Sequence, residues 1–181
     1  MTEPFTAPAL GDLAPGLNLP DTAGAEHSLG PEGAPATVVV FTCNHCPYAL
    51  AWHDRLLSVA GDYAGRGVRT LLVNANDGER YPADSYDAMK QRVRRDGPWP
   101  APYLRDEAQE AARAFGARVT PDVFVLDADG RLRYRGAPDA DYHEPDERAA
   151  WLRAALDDLL AGREVGEPET EAVGCSVKWR A

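Results

Sequence analysis

Ala36 to Thr42 is an unbroken run of apolar and β-branched residues that leads straight into Cys43-Asn44-His45-Cys46. A run of this kind, without polar alternation, is the mark of a strand covered on both faces. From about Pro47 the pattern changes. Trp52, Leu56, Val59 and Tyr63 recur at helical spacing until Gly65 and Gly67 close the segment. Two thiols one helical turn apart therefore stand at a strand-to-helix junction. If the helix begins there, Cys43 faces free N–H groups and the positive end of the dipole, which favour a thiolate. A thiolate is the form that attacks disulfides. Cys46 is then close enough to close a ring on Cys43, and His45 adds a donor that is partly cationic near neutral pH. The expectation is a lowered Cys43 pKa and a two-electron thiol/disulfide switch, with Cys46 less exposed and resolving the mixed disulfide.

The rest of the chain supplies the frame. Residues 1–16, rich in Pro, Ala and Gly, read as an irregular lead-in. Leu17–Pro20 and Glu26–Leu29 flank the turn Asp21-Thr22-Ala23-Gly24 as a short hairpin. Val68–Val73 is a second buried strand, and Ser85 is a plausible N-cap for a helix to about Arg95. Gly97–Pro102 must be extended, since its prolines lack donors. Asp106–Phe115 reads as a short helix, Asp122–Asp127 as a strand, and Asp127-Ala128-Asp129-Gly130 as a turn into Leu132–Arg135. Pro145 to about Leu160 is an amphipathic helix, and 163–181 is a polar tail whose Val173, Val177 and Trp179 suggest docking. Strands alternating with helices argue for a central sheet with helices on both faces, its last two strands antiparallel. The chain reads as one domain.

Composition excludes several classes. The chain has 181 residues, 44% apolar and 27% charged, and a net charge of −10. Lysine occurs only at 90 and 178, and the arginines are interleaved with acids, so no basic block marks nucleic acid or an anionic membrane. No apolar run approaches the ~18 residues of a membrane span. Met1–Phe5 lacks the pattern of a signal peptide, and the expectation is a cytoplasmic protein. Three cysteines do not make a structural disulfide framework there. A structural zinc site would need a second ligand pair, and Cys175, His27, His53 and His143 are scattered.

Val119-Thr120-Pro121-Asp122 puts a proline at the head of a strand. With it, the chain resembles the redoxin members of the thioredoxin superfamily, and more narrowly the alkyl hydroperoxide reductase/thiol-specific antioxidant type often labelled probable thiol–disulfide isomerases. The likeness covers most of the chain. It rests on Ala14–Asp21, Phe41–Tyr48, Asn74–Asp77, Pro102–Glu107, Thr120–Asp127 and Gly174–Trp179. It implies a three-layer α/β/α thioredoxin-like sandwich with a mixed central sheet, a cis peptide before Pro121, substrate held by the backbone at Thr120, and Cys43 and Cys46 as the redox pair. No cofactor and no resident metal are expected. The partners would be a protein or small-molecule disulfide and a dithiol reductant, in a monomer or homodimer. Peroxidase chemistry is the alternative, weakened because the signature P-x-x-x-T-x-x-C, aligned on Cys43, meets Ala36 and Val40. A metal-binding module on the same thiols is the alternative from another class. Cys175 is a third redox thiol, a shield over the pair, or a small buried apolar residue. Tyr48, Trp52 and Trp99 read as core, rim or loop anchors, Asp77 as a turn residue, and Arg92, Arg94 and Arg95 as a solvated helix face. The acids at 139–147 read as a helix N-terminal bias.

Overall fold

A computed structural model describes residues 6–181. Met1–Phe5, the start of the expected lead-in, lie outside the described residues. Strands β1 (Asn18–Pro20) and β2 (Glu26–Ser28) form the hairpin. The chain then runs through β3 (Ala36–Phe41), α1 (Pro47–Ala64), β4 (Arg69–Asn74), α2 (Tyr86–Asp96), β5 (Tyr103–Arg105), α3 (Glu110–Phe115), β6 (Val119–Thr120), β7 (Asp122–Asp127), β8 (Leu132–Gly136), α4 (Ala150–Leu160) and β9 (Cys175–Ser176). The central sheet has five strands in the order β5-β4-β3-β7-β8. β3 pairs parallel with β4 and antiparallel with β7, so the sheet is mixed.

Every residue of β3 is buried, as its unalternating sequence requires. Ala36, Val38 and Val40 point to a cluster built with Trp52, Leu56 and Val59 of α1, Met89 of α2 and Leu152 and Leu156 of α4. Val39 and Phe41 point the other way, to Phe115 of α3, Phe124 and Leu132. Phe41 meets Phe124 edge-on at 5.8 Å between centroids, the geometry that ring quadrupoles favour. The result is the three-layer thioredoxin-like sandwich, with β3 as its central strand.

Two segments differ from expectation. Asp106 does not begin α3: its side chain caps instead, accepting the N–H of Ala112 at 2.8 Å, and the helix runs only from Glu110. The expected helix from Pro145 is broken, because Arg148 and Ala149 have φ of 53° and 56°. The break lets the N–H of Ala149 reach the carboxylate of Asp139, 2.8 Å away. The tail docks as Val177 and Trp179 suggested, although Val173 stays exposed. β9 pairs antiparallel with β6, Thr120 opposite Cys175, and Trp179 packs on the Phe115 face of the sheet. Among the described residues, no helix is long and apolar enough to cross a membrane.

Candidate active site

The carboxyl end of β3 delivers Cys43 through Thr42, and Cys46 becomes the N-cap of α1. Cys43 therefore lies beside the open N-terminal turn, and its sulfur accepts the N–H of Cys46 at 3.3 Å. The Thr120–Pro121 peptide is cis, and β6 brings Thr120 against both sulfurs. The Thr120 hydroxyl lies 3.4 Å from Cys43 Sγ, and the Thr120 carbonyl accepts from Cys46 Sγ at 3.2 Å. The structure thus brings together Cys43, Cys46, His45, Thr120, Pro121 and, on β9, Cys175, which packs with Tyr48 against the pair. The exposure differs from expectation. Cys43 is 1% accessible and Cys46 0%, so neither thiol is an open attacker in this conformation.

The two thiols titrate as one unit. The hydrogen bond between them makes the first proton easy to lose and, with burial, the second hard. Residue by residue, that bond lowers Cys46 to about 4 and raises Cys43. The groups around the sulfurs favour the opposite division. A carbonyl oxygen facing Cys46 needs an S–H donor, whereas Cys43 meets an N–H and a hydroxyl, which serve a thiolate. With these partners the charge belongs on Cys43 and the proton on Cys46. The neighbouring Asp84 charge opposes ionisation of Cys43.

Asp84 is the residue that no local pattern marked. It is one of 29 acids in the sequence, and it sits in the short turn before Ser85. In the fold its side chain is fully buried, which a carboxylate tolerates only when its oxygens are bonded. Oδ1 accepts the N–H of Asn44 at 2.6 Å and Asn74 Nδ2 at 3.1 Å. Oδ2 accepts Asn76 Nδ2 at 3.0 Å and pairs with His45 Nδ1. The ring of His45, fixed in this way, stacks on Tyr81 with centroids 5.6 Å apart. Donor atoms of Cys43, His45 and Asp84 converge within 4.8 Å. Both Asp84 oxygens already carry two partners each, which suits a positioning carboxylate better than a metal ligand.

Arg92 corrects the expected solvated helix face. Only 8% exposed, it donates to Asn44 Oδ1 at 2.8 Å and to the carbonyl of Cys43 at 3.3 Å, and lies 5.1 Å from the Trp99 ring. The Tyr103 hydroxyl also donates to Asn44 Oδ1, at 2.8 Å. Asn44 thus anchors the segment between the cysteines to α2, β5 and the Asp84 turn. Asp77 is the turn residue expected, accepting the N–H of Glu79 at 3.0 Å. Asp139, by contrast, is no surface acid: it is buried and holds Arg55 at 2.9 Å and Trp52 Nε1 at 2.8 Å. Asp122, next to Pro121, is 2% exposed, and burial raises its carboxyl to about 6, partly offset by the Arg118 N–H.

Comparison with known proteins identifies the family and the fold. The AhpC/TSA family profile matches residues 10–135. An uncharacterized conserved protein from Geobacillus kaustophilus is 40% identical, with a TM-score of 0.87 over 95% of this chain and 93% of that one. A hypothetical protein from Sinorhizobium meliloti 1021 is 36% identical, with a TM-score of 0.89 over 97% of each chain. The thioredoxin domain of a thiol-disulfide oxidoreductase from Bacteroides vulgatus, 15% identical with a TM-score of 0.62 over 80% of this chain and 96% of that one, shares the fold. No curated protein matches the chain. The profile spans more than half the sequence, and the chain belongs to the AhpC/TSA family, a redoxin of the thioredoxin superfamily.

Proposed function

We infer that the protein is a thiol–disulfide oxidoreductase working through Cys43 and Cys46. The observation that carries this reading is the division of partners at Thr120: a hydroxyl for Cys43 and a carbonyl for Cys46. The Cys43 thiolate attacks one sulfur of a substrate disulfide. The S–S bond breaks, and the other sulfur leaves as a thiolate. Cys46, giving up its proton to that thiolate or to solvent, attacks Cys43 Sγ. The second substrate sulfur leaves, and a Cys43–Cys46 disulfide remains. A dithiol reductant returns the pair to the starting state. His45, held by Asp84, is a positioning group beside the attacking sulfur. Insulin reduction coupled to a dithiol tests the reading. Turnover should be lost in Cys43→Ser, and Cys46→Ser should accumulate a mixed disulfide. A wild-type protein that never reduces insulin and forms no Cys43–Cys46 disulfide would sink it.

Burial of Cys43 favours a second reading, in which the oxidant is a small peroxide that passes where a protein cannot. Peroxide consumption that is lost in Cys43→Ser but kept in Cys46→Ser would select it.

A further inference from the structure

The backbone at Thr120, where an extended substrate would lie beside the pair, is already taken by the chain itself. β9 pairs with β6 in register, Cys175 opposite Thr120 and Ser176 opposite Val119. Main-chain pairing with the side chains set in alternate pockets is how an added strand binds to a sheet edge. Cys175, half-buried on this strand, packs against the cluster of Cys43, Cys46 and Ala49. Burial, and then its neighbour Cys46, make Cys175 resist ionisation. The position before the cysteine admits only glycine. A Cβ on Gly174 would stand 2.7 Å from the Thr120 carbonyl carbon and closer still to its oxygen. Beyond the cysteine the strand is pinned. The N–H of Val177 bonds the Arg118 carbonyl at 3.0 Å, that of Lys178 bonds Asn76 Oδ1 at 2.9 Å, and the Lys178 carbonyl accepts from Asp77 N–H at 2.8 Å.

We propose that the C-terminal strand is a resident occupant of the substrate-strand position and that Cys175 exchanges into the active-site disulfide, forming Cys46–Cys175 and freeing Cys43. The proposal rests on the oxidoreductase reading above. In the step, the Cys175 sulfur, as a thiolate, attacks Cys46 Sγ of the Cys43–Cys46 bond. One S–S bond forms and one breaks, so no net oxidation occurs. Cys43 leaves as a thiolate into the Cys46 N–H and the Thr120 hydroxyl, and the proton lost by Cys175 ends on Cys43 or in solvent. Cys43 is then a free thiol, while Cys46 is held on the tail.

The test is disulfide mapping by mass spectrometry on the full chain, after oxidation with diamide and acid trapping, alongside insulin reduction. Two intramolecular species are expected, Cys43–Cys46 and Cys46–Cys175, in a ratio unchanged over a tenfold range of protein concentration. Cys175→Ser should give Cys43–Cys46 alone. Gly174→Ala, which pushes the strand off Thr120, should lose Cys46–Cys175 and keep Cys43–Cys46. The proposal is overturned, and the oxidoreductase reading kept, if insulin is reduced yet the wild type forms only Cys43–Cys46. It is also overturned if Cys175 links to Cys43 or to a second chain. Loss of both Cys43–Cys46 and insulin reduction overturns the two together.

Discussion

Asp84 acts on the reactive pair without touching either sulfur by hydrogen bond. It fixes the N–H of Asn44 and Nδ1 of His45, and its charge works against ionisation of Cys43. Asp84→Asn removes that charge. The pH profile of iodoacetamide alkylation at Cys43 should therefore move down by about one unit, ~1.4 kcal/mol of differential interaction. An unmoved profile would show that the carboxylate is only structural. Asp122 gives a second test at this scale. Its carboxyl is raised from 3.8 to about 6 by burial. Between those values the folded state holds more proton than the unfolded chain, so stability falls as pH rises through about 4 to 6 and is level above. The shift of about two units corresponds to at most roughly 3 kcal/mol. Urea midpoints across that window should show the fall in the wild type and little of it in Asp122→Asn. These residues also mark the limit of local pattern. The Cys43–Cys46 spacing and Pro121 stand out in the primary sequence. Asp84 and Arg92 become site residues only because β4, α2 and β3 converge.

At the scale of elements, caps and turns decided where helices begin. Ser85 accepts the N–H of Ala88 at 3.1 Å and starts α2 as its residue type suggests. The Pro145 segment carries a helical pattern, yet the chain turns left-handed at Arg148 and Ala149 before α4. A buried carboxylate won over local periodicity there. Asp139 collects Arg55, Trp52 Nε1 and the N–H of Ala149, while Arg55 also donates to the carbonyls of Asp141 and Tyr142 at 2.9 and 2.7 Å. This knot ties α1, which carries Cys46 at its head, to the start of α4. Asp139→Ala would leave the guanidinium buried and uncompensated, a loss of about 3–5 kcal/mol. Thermal and urea unfolding should both show it. A change below about 1 kcal/mol would mean that water reaches Arg55 and stands in for the carboxylate.

Across the whole molecule, the tail closes against the pair, with Cys175 of β9 packed on the cluster of Cys43, Cys46 and Ala49. Cys43 is covered in this conformation, and β9 is held at a distance by Trp179, whose ring lies 4.7 Å from the Arg113 guanidinium. If docking of this segment limits opening, Trp179→Ala should raise the alkylation rate of Cys43 roughly tenfold, the effect of about 1.4 kcal/mol on a local opening equilibrium. Rates equal to wild type would place the gate elsewhere. The central sheet was legible in the chain because β3 and β7 are covered on both faces, and burial on two sides writes itself as continuous apolar sequence. The thiol pair was legible because its spacing is local, one turn at the head of a helix. Short strands such as β6 and β9 left no such mark, since each has two residues and exists only by pairing with the other across more than fifty positions. The sequence by itself determined the order of strands and helices and the CxxC pair, products of local periodicity and spacing, while the three-layer sandwich and the place of Pro121 beside the pair were what the resemblance to thioredoxin-superfamily redoxins implied. The tertiary structure alone decided that Asp84 and Arg92 brace the pair, and that Cys175 lies on Thr120, because those contacts come from long-range closure that no window of sequence contains.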